Sequence, residues 1–174
     1  MTEGLPPRYE PIAVSSESTV VAEFVPDPGT ESGYQSEAEL ERAFVDLLKE
    51  QAYEHLPLTS EVDLIANLRS KLEVLNGITF SDTEWDRFFR ERIAGDKDGV
   101  VEKTIRIQED HVQLLRRDDG STKNISLIDK TNIHNNRLQV INQYKTEGTY
   151  ANRYDVTVLV NGLPMVHVEL KRRG

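Results

Sequence analysis

The 174-residue sequence is 37% hydrophobic and 29% charged, a composition typical of a globular protein with a core rather than a disordered chain. It contains no cysteine, which excludes a disulfide framework, thiol catalysis and a zinc–thiolate site. The formal net charge of −9 argues against strong affinity for nucleic acid, but the acidity is local: the first 50 residues hold eleven Asp and Glu against three Lys and Arg.

The sequence shows neither a membrane segment nor an export signal. No apolar run approaches the ~20 residues that a membrane-spanning helix needs. The N-terminus also lacks the basic-then-apolar order of a signal peptide. We therefore expect a cytoplasmic protein with no membrane partner.

Residues 1–33 differ in composition from the rest of the chain, because they contain five of the seven prolines together with several Ser, Gly and acidic residues. We predict an irregular acidic N-terminal arm over residues 1–33, followed by a single domain over residues 34–174. Residues 18–25 form the one plausible short strand of this arm, although an extended surface segment is the preferred interpretation.

Three amphipathic helices are predicted after the arm. Ser36, Ser60 and Ser81 each stand at an N-cap position, and a Glu three residues after the first and the third completes a capping box. Gly77 marks the end of the second helix. Apolar residues at helical spacing give the expected buried faces: Leu40, Ala43, Phe44, Leu47 and Leu48; then Leu64, Ile65, Leu68, Leu72 and Leu75; then Trp85, Phe88, Phe89 and Ile93.

The second half of the chain favours strands. Residues 100–108 are ambiguous between helix and strand, whereas residues 111–115 and 124–128 flank a turn signal and predict a hairpin. Residues 136–144 are predicted as a strand, with a helix as the alternative. Because helices come first and strands later, the order indicates an α/β fold of the α+β or mixed type.

The strongest functional signal lies at residues 153–171, where two β-branched apolar runs flank Asn161-Gly162 and predict a β-hairpin. Glu169 and Lys171 share one side of the second strand, because alternate strand residues face the same way. A hairpin that places Asp155 across from Glu169 would bring two carboxylates and an ammonium together. That pattern indicates a metal-dependent hydrolase, since Mg²⁺ takes one or two carboxylates, water and a substrate phosphate oxygen.

The length of the hairpin loop decides whether this site can form. A two-residue loop pairs Val160 with Leu163 and brings Asp155 opposite Val168, so that Glu169 points to the other face. A three-residue loop, or a bulge, brings Asp155 opposite Glu169. The site therefore requires a loop with an odd number of residues, or a bulge, although Asn-Gly favours a two-residue turn.

Other interpretations of these residues are weaker or stay open. Glu-x-Lys on a strand is common, and an exposed face with a cross-strand ion pair would account for it in most proteins. His167 shares a face with Glu169. Its position is compatible with a residue that lines the site and equally with a solvated strand histidine. Arg153, Arg172 and Arg173 are candidates for contact with the DNA backbone, or simply solubilise the strand ends. The sequence contains no P-loop and no Gly-x-Gly-x-x-Gly, so we predict no nucleotide site in this chain.

The final hairpin resembles the PD-(D/E)xK nuclease motif, with Asp155 at its start and Glu169-Leu170-Lys171 at its end. More specifically, NRYDVTVLVNGLP followed by VELKRRG is similar to the N-terminal nuclease domain of type I restriction enzyme R subunits. Three earlier blocks also resemble that family: GYQSEAELERAFVDLLKEQAYEHL, LNGITFSDTEWDRFF and ISLIDKTNIHNNRLQVINQY. The resemblance covers nearly everything after residue 33.

The resemblance implies a restriction-endonuclease-like core, a mixed sheet flanked by helices with the active site where its strands diverge. It also implies Mg²⁺-dependent cleavage of double-stranded DNA, with Asp155 and Glu169 as metal ligands and Lys171 as the catalytic base or stabiliser. An acid on the first core helix can complete such a site, and Glu41 best matches that position.

The resemblance further implies a longer enzyme in which an ATP-driven translocase follows the nuclease, with methyltransferase and specificity subunits as partners. The translocase and a Gln-x-x-x-Tyr helix that the family tends to carry after its Glu-x-Lys strand are not in this sequence. We therefore expect a nuclease fold truncated at its C-terminus, with ATP required only by the full-length enzyme. Two alternatives are a non-catalytic module that docks the partner subunits, favoured by the acidic arm, and a solo repair-type nuclease with the same core.

Overall fold

The computed structural model describes residues 8–14, 20–25, 36–58, 60–95, 99–145 and 153–171. The chain divides into two compact units, Met1–Ser36 and Glu37–Gly174.

The N-terminal unit contains two antiparallel strands, β1 (Arg8–Val14) and β2 (Val20–Val25). The sequence predicted an irregular segment here with one plausible strand, so the two paired strands correct that prediction. β1 has no clear strand signal because it contains Pro11, which has no N–H to donate. The register shifts between Pro11 and Ala13, and such a bulge lets a ladder continue past a residue that cannot pair regularly.

Among the described residues, the second unit contains four α-helices: α1 (Glu37–Glu50), α2 (Glu61–Asn76), α3 (Asp82–Phe88) and α4 (Val100–Gln108). One π-helical turn, Phe89–Ile93, continues α3. Predicted caps are present on α2 and α3. Ser60 accepts a hydrogen bond from the third residue after it, and Ser81 and Glu84 make both bonds of a capping box. Gly77 closes α2 in the left-handed conformation, with φ of 59°.

The strands of the second unit form two sheets. Their bounds are β3 (Glu54–His55), β4 (Val112–Arg116), β5 (Thr122–Ser126), β6 (Leu138–Lys145), β7 (Arg153–Val160) and β8 (Leu163–Val168). The main sheet has the order β3-β6-β7-β8, in which β3 runs parallel to β6 and the other pairs are antiparallel. β4 and β5 form a separate antiparallel hairpin, as predicted.

Two apolar cores hold this unit together. The larger one joins α2, α3 and the β4–β5 hairpin with the start of β8, through Leu68, Leu72, Phe80, Trp85, Phe88, Leu115, Ile125, Leu127 and Leu163. The smaller one lies between α1 and the main sheet and is formed by Val45, Leu48, Val140 and Val156. Helices therefore pack against a mixed sheet, which confirms the predicted α/β class. Within the described ranges, no helix is long and apolar enough to cross a bilayer.

The buried face of α1 differs from the predicted one. The buried residues are Glu41, Val45 and Leu48, whereas Ala43 and Leu47 are exposed. The helix is thus rotated relative to its purely apolar stripe. The reason is that a carboxylate is buried at the sheet, and a pattern built on apolar residues alone cannot include it.

Candidate functional site

The turn of the β7–β8 hairpin is the two-residue turn that Asn-Gly favours. Asn161 and Gly162 have φ of 51° and 83°, the two positive values that characterise a type I′ turn. Val160 consequently pairs with Leu163 and Leu159 with Pro164. With a regular ladder beyond this point, Asp155 and Glu169 would face opposite sides of the sheet.

A β-bulge then changes the register. Val158 pairs with Val166, so Met165 is the extra residue, and Val156 pairs with Val168. Continued by one residue, this register carries Asp155 across from Glu169. The geometric condition set by the sequence, an odd loop or a bulge, is therefore met by a bulge next to a two-residue turn.

Hydrogen bonds connect Asp155 with the segment that follows β8. The Leu170 backbone N–H donates to Asp155 Oδ2 at 2.7 Å, between Glu169 and Lys171. Lys171 Nζ lies 3.2 Å from Glu169 Oε1, and both of these side chains are mostly exposed, at 76% and 65%. Asp155 is partly buried. The structure thus brings the half-buried Asp155 beside the backbone that carries the exposed Glu169–Lys171 pair.

His167 lies two residue pairs further towards the turn than the position of Asp155, and therefore on the same face as Asp155. It pairs with Thr157 in the ladder, and the Thr157 hydroxyl and His167 Nδ1 share a hydrogen bond of 3.0 Å. Partial removal from water lowers the pKa of His167 below its usual value, because desolvation disfavours the charged imidazolium. His167 therefore borders the candidate site, held by a buried threonine.

Glu41 occupies a different side of the sheet. It is only 7% exposed, and its Oε1 accepts a hydrogen bond from Asn142 Nδ2 at 2.8 Å. His55 Nε2 in turn shares a hydrogen bond of 3.0 Å with Asn142 Oδ1. Asn142 pairs with Val156 on the face covered by α1, whereas Asp155, one residue away on β7, belongs to the opposite face.

The structure therefore does not gather all three predicted acids. Within the described part of the chain, no group of three or more His, Asp or Glu side chains is arranged to hold a metal ion. The register and the Leu170 hydrogen bond bring Asp155 beside the backbone next to Glu169, and the roles of Asp155, Glu169 and Glu41 as metal ligands stay predictions. Sequence patterns do not indicate the Asn142 and His55 contacts, because they join residues far apart in the chain.

The basic candidates lie largely beyond what can be described. Arg153 is the first residue of β7 and pairs with Lys145 along the backbone. Arg172 and Arg173 lie outside the described residues. Their contact with DNA remains a prediction.

The hairpin is held in place from its turn. Asn161 is buried, and its side chain accepts a hydrogen bond from Arg137 N and donates to Leu127 O and Asn136 Oδ1. Gly162 lies against α2 so closely that a Cβ would come within 2.6 Å of Leu68 Cα. The turn therefore fixes the hairpin, and with it Asp155 and Glu169, to the larger core.

These residues supply hard oxygen donors from β7 and from the segment directly after β8, and one ammonium group. A pair of carboxylates matches the usual protein contribution to a Mg²⁺ site, which is completed by water and substrate phosphate. An ammonium beside such a pair can offset the charge that develops on a phosphoryl group.

Comparison with known proteins gives a family match over most of the chain. Residues 34–174 match the family described as the N terminus of the type I restriction enzyme R protein. The chain is 45% identical over 166 residues to the EcoprrI endonuclease subunit of a type I restriction enzyme from Escherichia coli, covering 95% of this chain and 53% of that protein. It is 40% identical over 146 residues to a type I endonuclease subunit from Staphylococcus saprophyticus, and 39% identical over 146 residues to one from Staphylococcus aureus.

The chain spans about half the length of the E. coli relative and 15% of each of these staphylococcal relatives, which it matches over 81% of its own length. The family match nevertheless covers most of the chain, including both cores and the β7–β8 hairpin. The chain belongs to the family of type I restriction enzyme R protein N termini, the region that its relatives carry in their endonuclease subunits.

Proposed function

We propose that this chain is a metal-dependent DNA endonuclease domain with Asp155, Glu169 and Lys171 as its catalytic residues, in the arrangement of a PD-(D/E)xK site. The observation that carries the proposal is the bulge at Met165, because it shifts the register so that one further residue pair beyond Val156–Val168 would set Asp155 across from Glu169 despite the two-residue turn. The hydrogen bond from Leu170 N to Asp155 supports it further, since it fixes one carboxylate beside the Glu-x-Lys segment.

The donor set fits Mg²⁺. Asp155 and Glu169 would hold the ion, and their carboxylate oxygens are the hard ligands that it prefers. Leu170 N donates to only one oxygen of Asp155, and Glu169 is exposed enough to reach solvent and substrate. A bound Mg²⁺ would polarise the scissile phosphate and make water more acidic.

Side chains of the protein would orient the water, offset negative charge and position the DNA. Lys171 would orient the attacking water and offset the negative charge that grows on the phosphoryl oxygens. Its 3.2 Å approach to Glu169 keeps the ammonium beside that carboxylate. Arg153, Arg172 and Arg173 would contact neighbouring phosphates of double-stranded DNA and set its position.

In the whole enzyme, cleavage would follow ATP-driven translocation by a further part of the R subunit. Recognition of the DNA sequence would come from methyltransferase and specificity subunits in a cytoplasmic complex. The relatives are named endonuclease subunits, and they are longer than this chain, which supports a place in such an assembly.

The decisive experiment measures nicking of supercoiled plasmid by the assembled enzyme carrying Asp155→Asn, Glu169→Gln or Lys171→Met in its R subunit. We expect each change to lower the cleavage rate by about 100-fold or more, as loss of a transition-state contact commonly does. In Asp155→Asn the amide oxygen of the new side chain would still accept the Leu170 N–H, so this loss would arise from charge and not from a broken strand contact.

The matched control is Asp86→Asn, which removes an acid from the exposed side of α3. It should leave cleavage unchanged, and ATP hydrolysis should continue in all four variants. Full cleavage by the three site variants would instead support the second candidate function, a non-catalytic docking module. The acidity of the first 50 residues is the observation that favours that alternative.

A further inference from the structure

A cleft of about 340 Å³ lies at the turn end of the β7–β8 hairpin, away from the end of β7 where Asp155 is found. Its walls come from α2, the π-helical turn, α4 and the hairpin turn itself. This volume falls at the lower end of the range for ligand pockets, roughly 300–1,000 Å³. None of the described residues that line it belongs to the proposed nuclease site.

The floor of the cleft is apolar. It is formed by Leu64, Ile65, Leu68, Phe89, Ile93, Ile107, Leu127, Leu159, Leu163 and Pro164. Covering apolar surface of this kind is favourable, because it removes that surface from water. Duplex DNA has charged phosphates on its outer surface and could not cover such a floor without losing their hydration.

The rim of the cleft is polar and mainly cationic. Arg92, Lys103 and Arg106 line the cleft, and Glu61 is the one acid among its described lining residues. The Nε of Arg92 is buried, and no hydrogen-bond partner is present for it in the described part of the chain. A buried guanidinium N–H without an acceptor is unfavourable, so it is a ready donor to an incoming carboxylate.

We propose that this cleft binds an acidic polypeptide segment, which inserts a large apolar side chain between α2 and α4 and pairs its carboxylates with Arg92 and Lys103. The apolar floor over a cationic rim is the complement of such a segment, and binding anchors typically fill pockets of this kind. The proposal does not depend on the nuclease chemistry, because none of its residues belongs to that site.

The test starts from a random dodecapeptide display library selected on the 174-residue chain. Peptides that bind the wild-type protein are counter-selected on the double variant Arg92→Gln/Lys103→Gln. We expect the retained peptides to combine Asp or Glu with Leu, Phe or Trp. Failure to enrich acidic peptides that distinguish the two proteins would overturn the proposal.

The best retained peptide is then measured by fluorescence anisotropy. Its dissociation constant should rise by about 10-fold or more with Arg92→Gln, as loss of a charge-assisted hydrogen bond predicts, and remain within about twofold with Arg90→Gln. Arg90 is the matched control, because it lies two residues away on the same turn but outside the cleft and donates to Asp86 O. A peptide with its apolar anchor replaced by serine should also lose binding.

Two results would contradict the proposal at this stage. One is equal weakening by the Arg90 and Arg92 variants, which would indicate unspecific charge attraction. The other is displacement of the peptide by a short DNA duplex, together with loss of duplex binding in the Arg92→Gln/Lys103→Gln variant. That result would show that the cleft binds nucleic acid.

Discussion

Ala52 shows strain at a single residue. It has φ of 65°, in the left-handed region where a Cβ costs about 1–2 kcal/mol. It follows α1 and is exposed, so packing of its methyl group offsets little of that cost. Glycine is the usual residue at such a helix end.

We therefore predict that Ala52→Gly raises the free energy of unfolding by about 0.5–1 kcal/mol, the removed strain less the greater flexibility of glycine in the unfolded chain. The measurement is urea denaturation followed by circular dichroism. Ala66→Gly is the matched control, since Ala66 is exposed within α2, and it should destabilise by about 1 kcal/mol. A loss of stability in both variants would contradict the prediction.

Asp129 is a residue whose charge organises a loop. Backbone N–H groups of Thr131 and Asn132 and the side-chain amide of Asn135 all donate to its carboxylate. These bonds, that of Asn132 N foremost, lower the pKa of Asp129, because they stabilise the ionised form. Its folded pKa is therefore below its unfolded value of about 3.9.

The sign of the pH dependence follows from that shift. Stability from this carboxylate is present above about pH 3.9 and is lost as the pH falls through the folded pKa. We predict that Asp129→Asn lowers the thermal midpoint at about pH 7, and that its difference from wild type shrinks as the pH falls below about 4. Asp86→Asn provides the comparison in the same pH series. A difference that grows on acidification would contradict this role.

Residue patterns predicted the caps but not the buried polar contacts. Ser60, Ser81 and Gly77 act as the sequence indicates, because caps depend on neighbours within four residues. Glu41 lies a turn too far into α1 to act mainly on the helix dipole, which marks it as unusual, yet its burial against Asn142 depends on a contact 101 residues away. Local spacing cannot reveal such a partner.

At the scale of elements, the β7–β8 turn depends on its approach to α2. A methyl group on Gly162 would lie 2.6 Å from Leu68 Cα and 3.0 Å from Leu68 N, and φ of 83° is itself unfavourable for alanine. Neither neighbouring atom belongs to a flexible side chain. The turn and the helix would therefore have to separate.

We predict that Gly162→Ala destabilises the protein by about 3 kcal/mol, from the left-handed backbone and the overpacking together. Gly120→Ala is the matched control, because Gly120 has φ of 85° but no described atom within 4 Å of an added Cβ. It should cost about 1 kcal/mol. Equal losses in the two variants, measured by denaturant unfolding, would show that the contact with Leu68 is unimportant.

The β7–β8 hairpin shows which features of an element the sequence predicts, such as the turn, and which it does not, such as the position of a bulge. Asn161-Gly162 correctly indicated a two-residue turn, and the alternation of residues correctly showed that such a turn needs a correction to bring Asp155 opposite Glu169. Pro164, which has no N–H to donate, is a local signal compatible with a bulge beside it, but it does not fix which residue of β8 is the extra one. The sequence is ambiguous over α4 because its four apolar residues are all Val or Ile, β-branched side chains that favour strands.

At the scale of the whole molecule, the two cores of the second unit hold opposite ends of the β7–β8 hairpin. The larger core, through Leu163, holds the turn end of the hairpin, and the smaller core, through Val156, holds the end near Asp155. The candidate site is therefore supported from both ends of β7. Rigid support of this kind is what a metal-binding carboxylate pair requires.

Binding of Mg²⁺ to such a preformed site should stabilise the whole fold, because an ion that binds only the folded chain shifts the unfolding equilibrium. With a dissociation constant of about 1 mM, about 10 mM Mg²⁺ would add about 1.4 kcal/mol. We predict a matching rise in the thermal midpoint of the wild-type chain relative to NaCl of equal ionic strength, reversed when the ion is removed with EDTA.

The rise should disappear in the double variant Asp155→Asn/Glu169→Gln and persist in Asp86→Asn. Glu41→Gln separates the two roles considered for Glu41, since glutamine still accepts the Asn142 N–H but carries no charge. A reduced response to Mg²⁺ in that variant would place Glu41 near the ion, whereas an unchanged response would leave it a structural group of α1. Equal stabilisation of the double variant and the wild type would refute Asp155 and Glu169 as the metal ligands.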